Sequence, residues 1–199
     1  MNNLSLFWAA IIGGIITGLF SILAVFCAHG KEIERQKKQE ESLIKGLLQS
    51  IHDEVETLWD TYQEGMGVHL EALLENQPLA WFYPVIQDYF TVYHGNSFLI
   101  GRIKDNDLRK SIITTYTRAK GLIDSYRLNN DFTQKCEQLD SLYKQTNNPV
   151  FVQQLNAQRT VMVDYAKKIK ESHNKVKNNV NTLLRELRKS GVLSEGKNS

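Results

Sequence analysis

One uncharged run, residues 4–28, limits what this chain can fold into more than any other feature. As a helix, these 25 residues would be about 38 Å long, whereas the hydrocarbon core of a bilayer is about 30 Å thick. A cleavable signal peptide is disfavoured, because residues 1–5 carry no side-chain charge and Phe26 interrupts the small-residue pattern before Ala28. The sequence therefore predicts one retained N-terminal transmembrane helix, within an anchor formed by residues 1–30.

Basic side chains follow this run directly, and none precedes it. Because positively charged flanks stay on the cytoplasmic side of a membrane, we expect the remainder of the chain to be cytoplasmic and the N-terminus to be outside. The lipid bilayer is thus the first predicted partner. The basic collar that carries this prediction consists of Lys31, Arg35, Lys37 and Lys38.

Two neighbouring stripes of small side chains, each repeating every four residues, run along the predicted span. Small residues let a second helix approach closely, as in the GxxxG motif, so the pattern predicts a homo-oligomer formed through this span. A second interpretation stays open, because glycine is common in membrane helices in general. The predicted transmembrane packing residues are Ala10, Gly13, Gly14, Thr17, Gly18 and Ser21.

Beyond the span, apolar residues recur at alternating spacings of four and three, which is typical of helices packed lengthwise in coiled-coil seams. The clearest series cover residues 44–62 and 162–187, and an Asn-Asn-Pro sequence at 147–149 breaks the chain between two helices. The predicted fold class is therefore all-α: the transmembrane helix is followed by an elongated up-and-down helical bundle over residues 31–191 and a polar tail over 192–199.

The middle of the chain gives three further expectations. Gly65 and Gly67 should end the first bundle helix, and another helix should run from Pro84 to Phe98. The aromatic side chains of that stretch are interpreted as core, because no basic residues are interleaved as base stacking would require. The next helix should begin after Asp105 and bury its apolar positions, which are Leu108, Ile112, Tyr116, Ala119, Ile123 and Tyr126.

Charge is distributed unevenly along the predicted bundle. Residues 46–101 contain eight acidic side chains and no Lys or Arg, whereas residues 159–197 contain ten basic and four acidic ones. We expect the acidic segment to lie beside the last helix, since summed charges favour that arrangement over others. The basic residues alternate with an apolar seam, so a solvated face is the preferred interpretation and nucleic acid is not an expected partner.

No motif for catalysis, metal binding or cofactor binding occurs in the sequence. Glu-x-x-His and paired-cysteine spacings, Gly-rich phosphate loops and serine elbows are all missing. Cys27 and Cys136 are the two cysteines, so no disulfide framework is implied. His173 lies in the apolar seam of the last helix and is interpreted as a packed residue instead of a ligand. We therefore predict a protein that is not an enzyme and has no metal or cofactor.

Residues 89–126 read as a helix, a glycine stop and a capped helix start, with His94, Asn96 and Arg109 as a candidate functional polar corner. This segment resembles a recurring stretch in bacterial single-pass membrane proteins that have helical cytoplasmic domains, some of them found in phage-defence islands and on mobile elements. The resemblance implies a protein of the inner membrane but no particular reaction. The positions that carry it are Phe90, Tyr93, Asn96, Ile100, Gly101, Ile103, Leu108, Arg109, Ile112, Tyr116 and Lys120.

The functional prediction is a single-pass, membrane-anchored helical interaction or effector protein that self-associates through its span, binds a cytoplasmic protein partner and acts in antiviral defence. The alternative is a passive membrane scaffold that recruits a cytoplasmic protein or nucleic acid. A helical hydrolase is less favoured, because it would require His94 to cluster with acidic residues at a pocket.

Overall fold

The computed structural model describes residues 3–85 and 89–192, and its description of side chains leaves out those of residues 3–24 and of Cys27. Every regular element in the described ranges is a helix, which confirms the predicted all-α class. The chain divides into two compact units, Met1–Lys45 and Gly46–Ser199.

The first helix, α1, comprises Asn3–Tyr62 without interruption. In the first unit, its basic collar forms surface ion pairs one turn apart, Arg35 with Glu32 at 3.0 Å and Lys38 with Glu34 at 2.8 Å. Such exposed pairs stabilise a helix by a few tenths of a kcal/mol each, roughly 0.2–0.5.

Where side chains are described, no helix is both long enough and apolar enough to cross a membrane. Of the predicted span at residues 4–28, only the side chains of Val25, Phe26 and Ala28 are described. All six predicted packing residues lie outside the described side chains. The transmembrane helix therefore stays a prediction.

The second unit is built on two long helices, α5 (Asn106–Thr146) and α6 (Pro149–Lys189), which pack against each other along their lengths. The predicted break between them is confirmed: Asn147 adopts a left-handed conformation, and Asn148 Oδ1 accepts from Val150 N to cap α6. Asp105 caps α5 in the same way.

The predicted seam of α6 is buried at all of its eight positions, which are Met162, Ala166, Ile169, His173, Val176, Val180, Leu183 and Leu187. The seam of α5 differs from the prediction, because Ala119 and Ile123 are only half-buried. Three polar residues are buried in it instead: Thr115, Asn129 and Thr133.

The glycines at 65 and 67 do not end the helical path, so that prediction was wrong. A π-helical turn, Gln63–Gly67, follows α1 and leads directly into the short helix α2, Val68–Ala72. Gly67 keeps right-handed helical angles (φ −58°, ψ −46°) and is buried, so here glycine makes room for the Gln63 side chain instead of reversing the chain. The wide turn directs α2 toward α6.

The helix predicted from Pro84 to Phe98 is also wrong. The described residues between 73 and 90 are non-helical, and only the short helices α3, Thr91–Gly95, and α4, Ser97–Ile100, follow. Side chains of α5 bind this segment through its backbone. Asn129 Nδ2 donates to Leu79 O at 3.0 Å, and the amide of Asn130 bonds both Tyr83 N (3.0 Å) and Tyr83 O (2.6 Å). Backbone groups held in this way are not available for a helix.

The aromatic residues of this region are core only in part. Tyr93 stacks on Tyr116 with ring centroids 4.1 Å apart, as the core interpretation requires. By contrast, 53% of Trp81, 66% of Phe82 and 71% of Phe98 is exposed, so for these three residues the interpretation was wrong.

Candidate functional site

Four polar side chains form a continuous hydrogen-bonded row through the interior of the second unit. Glu71 Oε1 lies 2.9 Å from His173 Nε2, and His173 Nδ1 lies 2.8 Å from the Tyr62 hydroxyl. That hydroxyl lies 2.9 Å from the hydroxyl of Tyr126. The row therefore joins α2, α6, the end of α1 and α5, and we name it the buried polar row.

The direction of every hydrogen bond in the row follows from its acidic end. An ionised carboxylate only accepts, so His173 must carry its proton on Nε2 and donate to Glu71. His173 Nδ1 is then an acceptor, to which Tyr62 donates, and Tyr62 in turn accepts from Tyr126. With a neutral imidazole, the Tyr62 hydroxyl donates once and accepts once, and each hydrogen bond of the row has one donor and one acceptor.

Charged neighbours hold the acidic end in its ionised form. Lys177 Nζ approaches Glu71 Oε1 at 2.8 Å, and Gln63 Nε2 donates to the same oxygen at 3.0 Å. Hydrogen bonds from Lys177, His173 and Gln63, in that order, lower the pKa of Glu71 from 4.5 to about 2. Lys170 Nζ donates to Leu73 O at 2.9 Å and so fastens the chain just after α2.

Burial favours the neutral forms of the other members of the row. The His173 side chain is wholly enclosed, and burial lowers its pKa below the ordinary 6.5 although the Glu71 carboxylate opposes this shift. Burial likewise raises the pKa of Tyr62 and of Tyr126 above the ordinary 10. A phenol with a raised pKa is a poor nucleophile, so the row is suited to holding helices together more than to nucleophilic catalysis.

An apolar cavity of about 100 Å³ adjoins the row. Leu58 and Trp59 of α1, Ala119 of α5 and Val176 of α6 contribute to its walls, together with the ring of Tyr62. The segment between α2 and α3, which we name the crossover segment, contributes the aromatic rings of Tyr83 and Phe90 to one side. The cavity is half open to solvent and lies among three of the helices that the buried polar row connects, α1, α5 and α6.

A second carboxylate, Glu54 of α1, binds two other elements. It accepts from Val92 N at 2.7 Å and from Tyr93 N at 3.3 Å at the start of α3, and from the Tyr116 hydroxyl of α5 at 2.6 Å. Its charge complements the N–H groups at that backbone turn. Neighbouring His52 is buried and contacts Asp53 and Arg188 instead.

The ion pairs Arg188–Glu56, at 2.6 Å, and Lys177–Glu71 join the acidic segment to the basic last helix. These contacts confirm the expected neighbour arrangement of the two segments. In the described part of the chain, no group of three or more His, Cys, Asp or Glu side chains is placed to hold a metal ion.

The residues of the predicted polar corner are used locally. Asn96 Nδ2 donates to Val92 O at 2.8 Å, and Arg109 Nη1 donates to Ile103 O at 2.6 Å. His94 is exposed beside the ring of Tyr93. No hydrogen bond between described residues joins any two members of the corner, and its functional role stays a prediction.

Sequence reasoning placed Tyr62 and His173 in two separate seams but did not connect them. Two polar residues in otherwise apolar seams were the available signal, because buried polar groups need partners. Tyr126 likewise belongs to the predicted seam of α5, whereas no local pattern indicated Glu71 as the fourth member of the row.

The row predicts how stability depends on pH. Because the pKa of His173 is lower in the fold than the ordinary 6.5, the unfolded chain binds a proton there first, and stability should fall as the pH drops below about 6.5. The contribution of Glu71 is present above 4.5 and is lost as the pH falls to about 2. Urea denaturation of the full-length protein between pH 7.5 and 5 measures the first effect. The variant His173→Gln should show a flatter profile, and parallel profiles would contradict the assignment.

Comparisons with known proteins leave the identity open: no family model matches this chain, and neither a curated protein nor a solved structure matches it. The resemblance of residues 89–126 to bacterial single-pass membrane proteins therefore stays a prediction.

Proposed function

We propose that the protein is a membrane-anchored helical interaction protein of the inner membrane, whose predicted span self-associates and whose cytoplasmic bundle binds a protein partner. The observation that carries this proposal is the continuity of α1 from Asn3 to Tyr62. The predicted span and the first bundle helix belong to one element, and its last residue is a member of the buried polar row.

Exposed apolar side chains on the crossover segment support the binding of a partner. Leu74, Trp81 and Phe82 expose 66%, 53% and 66% of their surfaces. Aromatic residues are enriched where partners bind. Removing them from water would supply part of the binding free energy.

Replacing Gly14 and Gly18 together by leucine should abolish the crosslinked oligomer of the full-length protein in membranes. Leucine side chains would prevent the close approach of two helices on which small-residue packing depends. The control pair Ile12→Phe and Leu19→Phe adds bulk to the opposite face of the predicted helix and should leave the oligomer intact. Identical crosslinked species in all three proteins would disprove self-association through these stripes.

The same variants distinguish an effector from a passive scaffold. In an effector, expression of the parent during phage infection should lower plating efficiency and release a cytoplasmic dye, and the Gly14 and Gly18 double variant should do neither. A scaffold would cause no leakage in either form but would still recruit its partner to membranes. The role in defence rests on the small-residue stripes of the predicted span and on the resemblance of residues 89–126.

A further inference from the structure

The cavity beside the buried polar row has walls that require no hydrogen bonds from an occupant. The hydroxyls of Tyr62 and Tyr126 bond within the row, Tyr116 donates to Glu54, and Thr115 donates to Ser111 O. The buried polar atoms of the described chain that lack a partner belong to Gln63, Asn129 and Glu186, and none of these residues lines the cavity. The cavity therefore has mainly apolar walls, and the wall hydroxyl groups named above are already hydrogen-bonded within the protein.

An apolar cavity of this kind favours an apolar occupant over water. Water needs two to four polar partners to be held in place, and the wall hydroxyls of Tyr62, Tyr116 and Tyr126 already bond within the protein. A charged ligand would lose its hydration without compensation. These constraints leave a small, uncharged and mainly hydrocarbon ligand.

The walls further favour an aromatic ring. Aromatic side chains from three parts of the chain already meet here at tilted or edge-to-face angles: the Tyr62 and Tyr83 rings lie 6.4 Å apart at 87°, and those of Phe90 and Tyr116 lie 5.3 Å apart at 85°. Such arrangements are favoured by the quadrupoles of the rings, and an additional ring can extend them. The volume of about 100 Å³ is sufficient for approximately one ring.

We propose that this cavity is a binding site for a small, uncharged ligand with a single aromatic ring. The inference goes beyond the proposed function, which needs no small ligand. A ligand in this position contacts α1, α5 and α6 together, so binding stabilises their packing through mass action. The site is thus a place where a small molecule can act on the helix that carries the predicted span.

The test uses the full-length protein in detergent with fluorobenzene as the probe, observed by ¹⁹F NMR against protein-free detergent. We expect saturable binding to the protein in addition to the linear uptake by micelles. Ala119→Leu should weaken that binding at least about tenfold, because the leucine side chain fills the cavity. The matched control Ala157→Leu places the same added atoms at an exposed position of α6 and should bind as the parent does.

A second variant keeps the test decisive if Ala119→Leu does not fold. Leu122→Ala enlarges the same cavity and should bind fluoronaphthalene more tightly than the parent does. Uptake that is linear and equal with and without the parent protein would overturn the proposal. Saturable binding that a folded Ala119→Leu variant leaves unchanged would overturn it as well, because the probe would then occupy another place.

Discussion

The substitution His173→Ala should lower the free energy of unfolding by about 3–4 kcal/mol at pH 7.5, one of the largest effects we expect from a single change. The imidazole is fully enclosed, so its removal leaves a cavity among α1, α2 and α6. It also removes the acceptor of the Tyr62 hydroxyl in a place where water cannot easily replace it. Both the cavity and the lost hydrogen bond lower the free energy of unfolding.

Urea denaturation of the full-length protein, followed by tryptophan fluorescence, measures this effect. Trp59 is a suitable reporter because its ring centroid lies 5.7 Å from that of His173. The control His94→Ala removes the same side chain from an exposed position and should cost less than about 1 kcal/mol. Similar losses in the two variants would show that the buried polar row does not stabilise the fold as described.

A volume-conserving variant separates the two causes. His173→Leu fills most of the space but still removes the hydrogen-bond acceptor, so its cost should be about half that of His173→Ala. Glu71 would tolerate the change better than Tyr62, because its carboxylate is partly exposed and keeps Lys177 as a partner.

The helix that could be predicted best is α6, because its buried face follows a regular repeat of apolar residues in the sequence. All eight seam positions of α6 are buried because one long face meets α5, and a repeat of four and three residues records that face. The seam of α5 was predicted less well, since Thr115, Asn129 and Thr133 occupy seam positions with polar side chains. A search for apolar periodicity passes over such residues even where they are buried.

The crossover segment could not be predicted, because distant residues determine its conformation. Leu79 and Tyr83 are held by Asn129 and Asn130, 50 and 47 positions along the chain. No local pattern records those hydrogen bonds, whereas Pro84 and the apolar spacing around it are typical of a helix start. Tertiary contacts prevail over local preference here.

The buried polar row, too, could be predicted from the sequence only in part. Tyr62 and His173 could be placed in seams, but their contact depends on how α1 and α6 align. Glu71 reaches His173 only because a π-helical turn, and not a chain stop, follows Tyr62. Glycine at positions 65 and 67 permits several backbone conformations, so the sequence alone does not select this one.

The second large effect is expected for Glu54→Ala, which should lower the free energy of unfolding by about 3 kcal/mol. One carboxylate serves as acceptor for Val92 N, Tyr93 N and the Tyr116 hydroxyl, so alanine would leave donors of two separate elements without it. Charge-assisted bonds of this type are stronger than neutral ones. Glu54→Gln keeps one acceptor oxygen and should therefore cost about half as much.

Glu56→Ala is the matched control for this prediction, because it lies in the same helix and removes an exposed ion pair with Arg188. Exposed pairs contribute about 0–1 kcal/mol, so this variant should remain close to the parent in urea denaturation. A double-mutant cycle with Tyr116→Phe should give a coupling energy of at least about 1 kcal/mol with Glu54→Ala. Additive losses in that cycle would mean that the 2.6 Å contact contributes nothing of its own, and that Glu54 acts through α3 alone.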